Sequence, residues 1–260
     1  MTQRIALCGG VYSNYLALQS ALEDAQARGI TEYYCLGDLG AFGPHPDRVF
    51  PLLSRYNVQC IQGNYDDSIG NNKDNCQCGY TDQRDNYYAQ ISYDYTKQNT
   101  SPENKAFLRD LPRTRTIEIE DVRILLCHGS PRSLNEFLWE TTTPDHFLES
   151  FFDEYQVDVI ASTHTGIKWQ RRLNAGLFVN VGVLGRPEND GTHRVWYTIV
   201  EVSGNQASAQ FIPIHYDYRQ LAADMHEQQL PAEFIETIET GWWTTCLEML
   251  PQKERYAGKH

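Results

Sequence analysis

The hydrophobic pattern opens with short apolar runs that end abruptly in glycine and a polar residue. Residues 4–8 read as a buried strand closed by the turn Gly9-Gly10. Tyr33-Tyr34-Cys35-Leu36 runs into Gly37-Asp38, and Val58-Gln59-Cys60-Ile61 leads to Gly63-Asn64-Tyr65-Asp66. Runs this short, bounded by turn residues, are strands that deliver side chains to a sheet edge. Leu16, Leu18, Ala21, Leu22 and Ala25 form a helical stripe, predicting a helix over about 14–28 capped by Gly29. Strand, helix and strand in this order make a right-handed parallel crossover. After the Gly/Pro-rich loop from Gly40 to Pro46, a second helix is expected over about 47–55.

From 67 to 103 the rhythm is lost. The segment is polar and rich in tyrosine (Tyr80, Tyr87, Tyr88, Tyr93, Tyr95), and reads as an irregular insertion with one helix near 85–97. Two readings stand for it: a wall that shapes access to a strand-end site, or a packed excursion without function. A short helix at 102–110 ends at Leu111-Pro112. Past Thr114 the period becomes two, giving a hairpin whose second arm, Ile124-Leu125-Leu126-Cys127, ends at His128. A helix over about 145–155 precedes a strand at 157–161 that ends near His164. Residues 173–181, 195–202 and 207–214 read as antiparallel strands, joined by Asn174-Ala175-Gly176 and Ser203-Gly204-Asn205 turns. Helices are expected over 218–225 and 232–250. The order gives an α/β fold of two mixed sheets covered by helices, in one domain (1–215) with a helical C-terminal tail (216–260).

Composition narrows the function. A 41% apolar content over 260 residues supports a large core. With 34 acidic against 22 basic residues the chain carries −12, which argues against general nucleic-acid binding or an anionic-membrane surface. No run approaches the roughly 20 apolar residues of a spanning helix. Cys8, Cys35, Cys60 and Cys127 fall within apolar runs, as small core residues of a reducing cytoplasm do, and a cytoplasmic location is expected. Cys76 and Cys78 lie in a polar loop, where a metal site, a redox link or neither remains open.

Asp38, Asn64, His128 and His164 thus stand at four successive strand ends, where open α/β sheets bind ligands. Two oxygens and two imidazoles suit one divalent transition metal (Mn, Fe or Zn) better than calcium, and four ligands leave positions open for water or phosphate.

The same residues, in this order, resemble the calcineurin-like metallophosphoesterases, and within them the small bacterial phosphodiesterase-like branch. The likeness runs from about residue 4 to 214 and includes Ser13-Asn14-Tyr15-Leu16, Leu36-Gly37-Asp38-Leu39-Gly40 and Asn180-Val181-Gly182-Val183-Leu184-Gly185-Arg186-Pro187. It implies an αββα four-layer sandwich with a two-metal centre. The ligands implied for one metal are all present: Asp38, Asn64, His128 and His164. Those of the other are not. Gly10-Val11-Tyr12 stands where Asp-x-His is expected, Thr163-His164-Thr165-Gly166 where Gly-His-x-His is expected, and Tyr65 replaces the histidine of Gly-Asn-His-Asp.

The resemblance therefore implies a phosphoesterase acting on phosphodiesters or activated monoesters through one retained metal and the hydroxide it generates. The alternative is a weak or inactive phosphate- or nucleotide-binding regulatory protein of the same fold. Either takes a small phosphorylated ligand, and the oligomeric state is not legible. Asp38 is assigned to the chemistry as well as to the metal, Tyr65 is the candidate proton donor, and Arg186 the candidate phosphate contact. Arg132 and Lys168 also lie near these motifs. Tyr12 fills the emptied first pocket or ligates as a phenolate; Asp66 caps a helix or acts as base. Trp242, Trp243, Met249 and Leu250 either pack on the domain, cover the cleft or meet a second subunit.

Overall fold

The computed structural model describes residues 2–256, so the end of the expected tail, 257–260, lies outside the described residues. Two five-stranded sheets pack face to face. In the first, β1 (Gln3–Cys8), β2 (Tyr33–Cys35) and β3 (Gln59–Cys60) run parallel, and the hairpin β9 (Val195–Ser203) and β10 (Gln206–Ile214) joins beside β1. The second contains β4 (Thr114–Ile119), β5 (Val122–Cys127), β6 (Val159–Ser162), β7 (Trp169–Arg172) and β8 (Leu177–Asn180) in the order β4-β5-β6-β8-β7.

Alternation along the strands decides the layers. Ile5, Leu7, Leu36 and Ile61 face Ile124, Leu126, Val159 and Val179 across the sheet–sheet core. The opposite side of the first sheet is covered by α1 (Tyr15–Ala27) and α2 (Val49–Arg55), with α7 (Tyr218–Glu227) and α8 (Ala232–Thr240) in the same apolar cluster. On the outer side of the second sheet, Phe151 and Phe152 of α6 (Asp145–Tyr155) pack on Leu125, Ile160 and Phe178. The result is the expected four-layer sandwich. Helix α1 starts where its sequence says it should: the Asn14 side chain accepts from the Ala17 N–H at 3.0 Å. Among the described residues, no helix is long and apolar enough to cross a membrane.

Two expectations are corrected. Residues 173–181 are not one antiparallel strand. Leu173 begins the turn, β8 runs parallel to β6, and β7 pairs antiparallel with β8. Strand β7, Trp-Gln-Arg-Arg, escapes periodicity because it is a short edge strand bearing charges, as exposed sheet edges often do. The helix expected over 232–250 stops at Thr240, because Gly241 takes φ +74° and ends α8 in a left-handed cap. Residues 241–251 are irregular, and α9 (Gln252–Tyr256) follows. Helix α3 (Asn64–Gly70) runs into the insertion, the helix expected within it is α4 (Gln83–Asn99), and the short helix expected after it is α5 (Pro102–Arg109).

The ends of β2 and β3 are pressed together. Gly37, at φ +90°, has no room for a Cβ, which would sit 2.3 Å from the Gly63 nitrogen. A Cβ on Gly63 would lie 2.2 Å from Asp38 Oδ1. Gly63→Ala is therefore expected to destabilise the protein by about 1–3 kcal/mol through overpacking. An unchanged urea midpoint would show that the two loops are not held together as described.

Candidate metal centre

Asp38, Asn64, His128 and His164 leave the carboxyl ends of β2, β3, β5 and β6, and the backbone ties those ends together. The Val11 and Tyr12 N–H groups donate to the Asp38 carbonyl at 2.9 and 3.1 Å, and Thr163 N–H donates to the His128 carbonyl at 2.8 Å. Asp38, His164 and Tyr12 hold φ values of 58°, 69° and 51°, a left-handed region that side chains enter at a cost. Backbone strain of this kind persists only where the surroundings over-determine it, and it gathers at functional sites.

Asp66 supplies that determination. Its Oδ2 accepts from Asp38 N–H at 2.7 Å and Gly63 N–H at 2.8 Å, and its Oδ1 accepts from Leu39 N–H at 3.0 Å. It is a helix cap, not a base: both oxygens are committed to backbone. Burial, and then the charge of Asp38, push its carboxyl up to about 7. Asp38 in turn accepts from Tyr65 N–H through Oδ1 at 3.0 Å, which leaves Oδ2 for the site.

Oδ2 of Asp38 lies 3.3 Å from His128 Nε2, and His164 Nδ1 lies 3.3 Å from the same nitrogen. His128 Nδ1 is 2.6 Å from the Leu36 carbonyl, which can only accept, so that nitrogen carries the proton. Nε2 of a neutral His128 is then a lone pair facing a carboxylate and a second imidazole. Such a convergence needs a proton or a cation at its centre. Burial pulls His128 down, but the charge of Asp38 and its hydrogen bond more than offset this and hold the imidazole above its usual value. Burial pushes Asp38 up, yet the His128 charge outweighs it, and the carboxyl is held below its usual range. His164 stays neutral: burial and His128 push it down to about 3.

The donor set fits a divalent metal. One ligand atom from each of Asp38, His128 and His164 lies within 4.8 Å of the others, and all three residues are buried. Asn64 donates its amide to the Cys76 carbonyl at 2.9 Å, which orients the side chain and leaves the buried Oδ1 without a partner. His164 Nε2 is likewise unpartnered. With Nδ1 turned to the cluster, Nε2 carries the neutral imidazole's proton, so Asn64 Oδ1 is the acceptor left open, which is costly unless something comes to it.

Asp38, Asn64 and His164 line a cavity of about 50 Å³, room for a few waters. Tyr12, Tyr65 and Arg186 share its wall. The Tyr12 ring lies against Gly10 and Gly185, where a Cβ would meet it at 2.3 Å in each case. Burial, and then the charge of Asp38, drive its phenol upward, so the ring fills this space as a neutral phenol. The Tyr65 hydroxyl turns to α4, within 3.1 Å of Ser92 Oγ and 3.3 Å of the Ala89 carbonyl. Burial raises that phenol too, with only a partial offset from Ser92, so it releases its proton less readily than a free tyrosine. Arg132 does not reach the site; it pairs with Glu154 at 2.6 Å on the surface. Lys168 is taken by Glu188 and stacks 3.8 Å from the Trp196 ring. Of the three basic residues near the motifs, Arg186 alone faces the cavity.

The remaining wall carried little sequence signal. Tyr80, Tyr88 and Ser92 come from the tyrosine-rich insertion, which sides with access rather than idle packing. Phe234, Thr245 and Cys246 of the C-terminal segment also line it, while Trp243, Met249 and Leu250 pack with Phe137, Trp139 and Ile167 of the domain. Cys76 and Cys78 form a disulfide next to Asn64, and the other five cysteines are free and buried.

If Asp66 sets the geometry, Asp66→Ala should cost on the order of 3 kcal/mol, since three buried backbone donors lose their acceptor. The same variant should lose bound metal in elemental analysis. Normal metal content in a folded variant would mean that Asp38 needs no such tether.

The profile of the calcineurin-like phosphoesterase superfamily domain matches residues 4–205. An uncharacterized protein of Methanocaldococcus jannaschii is 25% identical over 252 residues, 91% of this chain and 98% of that one. A hypothetical protein from Pyrococcus horikoshii OT3 superposes with a TM-score of 0.75 at 22% identity, over 93% of this chain and 99% of its own. A metallophosphoesterase from Sphaerobacter thermophilus gives 0.71 at 23%, over 93% and 100%. These two likenesses concern the fold.

Proposed function

We propose that this chain, which belongs to the calcineurin-like phosphoesterase superfamily, hydrolyses small phosphodiesters or activated phosphomonoesters at one transition-metal site. The family is one of metal-dependent phosphoesterases; the number and roles of the ligands are our reading. One observation carries it: Asp38, His128 and His164 bring three acceptor atoms within 4.8 Å of one another. Asn64 would be the fourth ligand. A bound Mn, Fe or Zn ion would act as a Lewis acid and bring a water toward ionisation near neutral pH.

The side chains do the rest. Asp38 and the two imidazoles would hold the cation, and the cavity beside them would take the phosphoryl group. Arg186 lines the same cavity and would contact a phosphoryl oxygen. The candidate proton donor, Tyr65, has its hydroxyl engaged by α4, so we assign it to holding α3 against α4. Leaving groups that need no proton should then react best. The neutral Tyr12 ring beside Gly10 favours a second reading, in which the site binds phosphate but turns it over slowly.

Purified protein is expected to hold about one transition-metal ion, and His128→Ala should lose it. Cleavage of bis(p-nitrophenyl) phosphate with added Mn²⁺ should rise through about pH 7–9, the direction set by ionising water and by histidines that must be unprotonated to ligate. Asn64→Ala and His164→Ala should abolish it, while Tyr65→Phe should stay within about twofold on aryl and alkyl esters alike. A selective loss on alkyl esters would restore Tyr65 as proton donor. A metal-loaded protein that binds phosphate yet is inert to every phosphoester offered would leave the binding reading in place.

A further inference from the structure

Arg186 is a cation without a counter-charge. It is 6% exposed, and no carboxylate among the described residues forms an ion pair with it. Glu188, two residues on, is committed to the Lys168 ammonium and backbone N–H. The guanidinium carbon instead sits 3.5 Å over the ring of Trp243, with Phe42 at 5.8 Å, and the buried Nε has no hydrogen-bond partner. Stacking on an aromatic face favours a cation, but it uses none of the five N–H donors. A buried charge left unpaired is unfavourable, and a guanidinium fork is shaped for two oxygens of one anion.

Its place is equally specific. A Cβ on Gly166, two residues past His164, would lie 2.9 Å from Trp243 Cη2 and 3.5 Å from Arg186 Nη2. Trp243 is anchored at both ends, its N–H donating to Asn189 Oδ1 at 2.9 Å and its indole Nε1 to the Pro187 carbonyl at 2.6 Å. Residues just after the arginine thus fix the ring, and the ring fixes the fork against the loop that carries His164.

We propose that Arg186 is the second positive centre of the site, a fork that grips a non-bridging phosphoryl oxygen opposite the Asp38–His128–His164 cluster, and that Trp243 is the residue that positions it. This rests on the reading that the site takes phosphoryl groups. It makes the C-terminal segment part of the site itself. The chain would meet phosphate with one metal and one arginine, the arginine occupying space that a larger residue at 166 would claim.

Inorganic phosphate is the probe, titrated calorimetrically into metal-loaded and metal-stripped protein. Arg186→Ala should weaken phosphate binding at least about tenfold in both forms while metal content stays unchanged. Arg186→Lys keeps the charge but loses the fork and should fall between the two. Millimolar guanidinium should partly restore the alanine variant. Trp243→Leu should weaken phosphate binding in the wild-type background and have no further effect in Arg186→Ala, a non-additivity that a purely structural tryptophan would not produce. Should Arg186→Ala fail to fold, Arg186→Lys decides the matter. Lysine and alanine variants that bind phosphate as the parent does, metal content being equal, overturn the proposal. If they do so while the parent hydrolyses esters, only this inference fails. A parent that neither binds phosphate nor hydrolyses any ester overturns the phosphoryl reading along with it.

Discussion

Everything at this site hangs on one carboxylate that never meets the cavity. Asp66 takes three backbone N–H groups from two loops, and two of them belong to Asp38 and Leu39. Those bonds hold Asp38 in a left-handed conformation that an isolated chain would abandon. They also keep the ends of β2 and β3 so close that only glycine fits at 37 and 63. Backbone polar groups at strand ends must find partners somewhere. Here a single side chain satisfies three of them and aims a ligand as it does so.

That arrangement explains what could be read in advance. Strand-end residues are legible because buried strands are short apolar runs and their ends are marked by glycine. Asp38, Asn64, His128 and His164 could each be placed at an edge from local pattern alone. Periodicity fails where polarity and structure part company. The edge strand β7 carries two arginines and one buried tryptophan, so its alternation is thin. The break at Gly241 was hidden by apolar residues beyond it that look helical but pack irregularly. The direction of a hydroxyl is harder still: nothing near Tyr65 in sequence says that Ser92 will meet it.

The cavity wall is the least legible part, for a simple reason. Contacts such as Phe42 with Phe234, ring centres 4.7 Å apart, join distant segments with no shared motif. Trp243 follows Gly241-Trp242 and precedes threonines, a setting that suits many surfaces. Only the fold shows that its indole lies across Arg186. An aromatic cover over a small polar site also lowers the local dielectric, which strengthens every charge interaction beneath it and penalises any charge left alone.

The cover has a consequence for how the protein is made. The carboxylate and imidazoles all belong to the part of the chain ending at His164, and β8 follows soon after. Phe234, Trp243, Thr245 and Cys246 leave the ribosome much later. A domain folds as a unit, and β9, which pairs with β1 in the first sheet, also comes after the last ligand. A chain stopped soon after His164 would carry every ligand in its sequence and yet lack the strand that completes the sheet behind them.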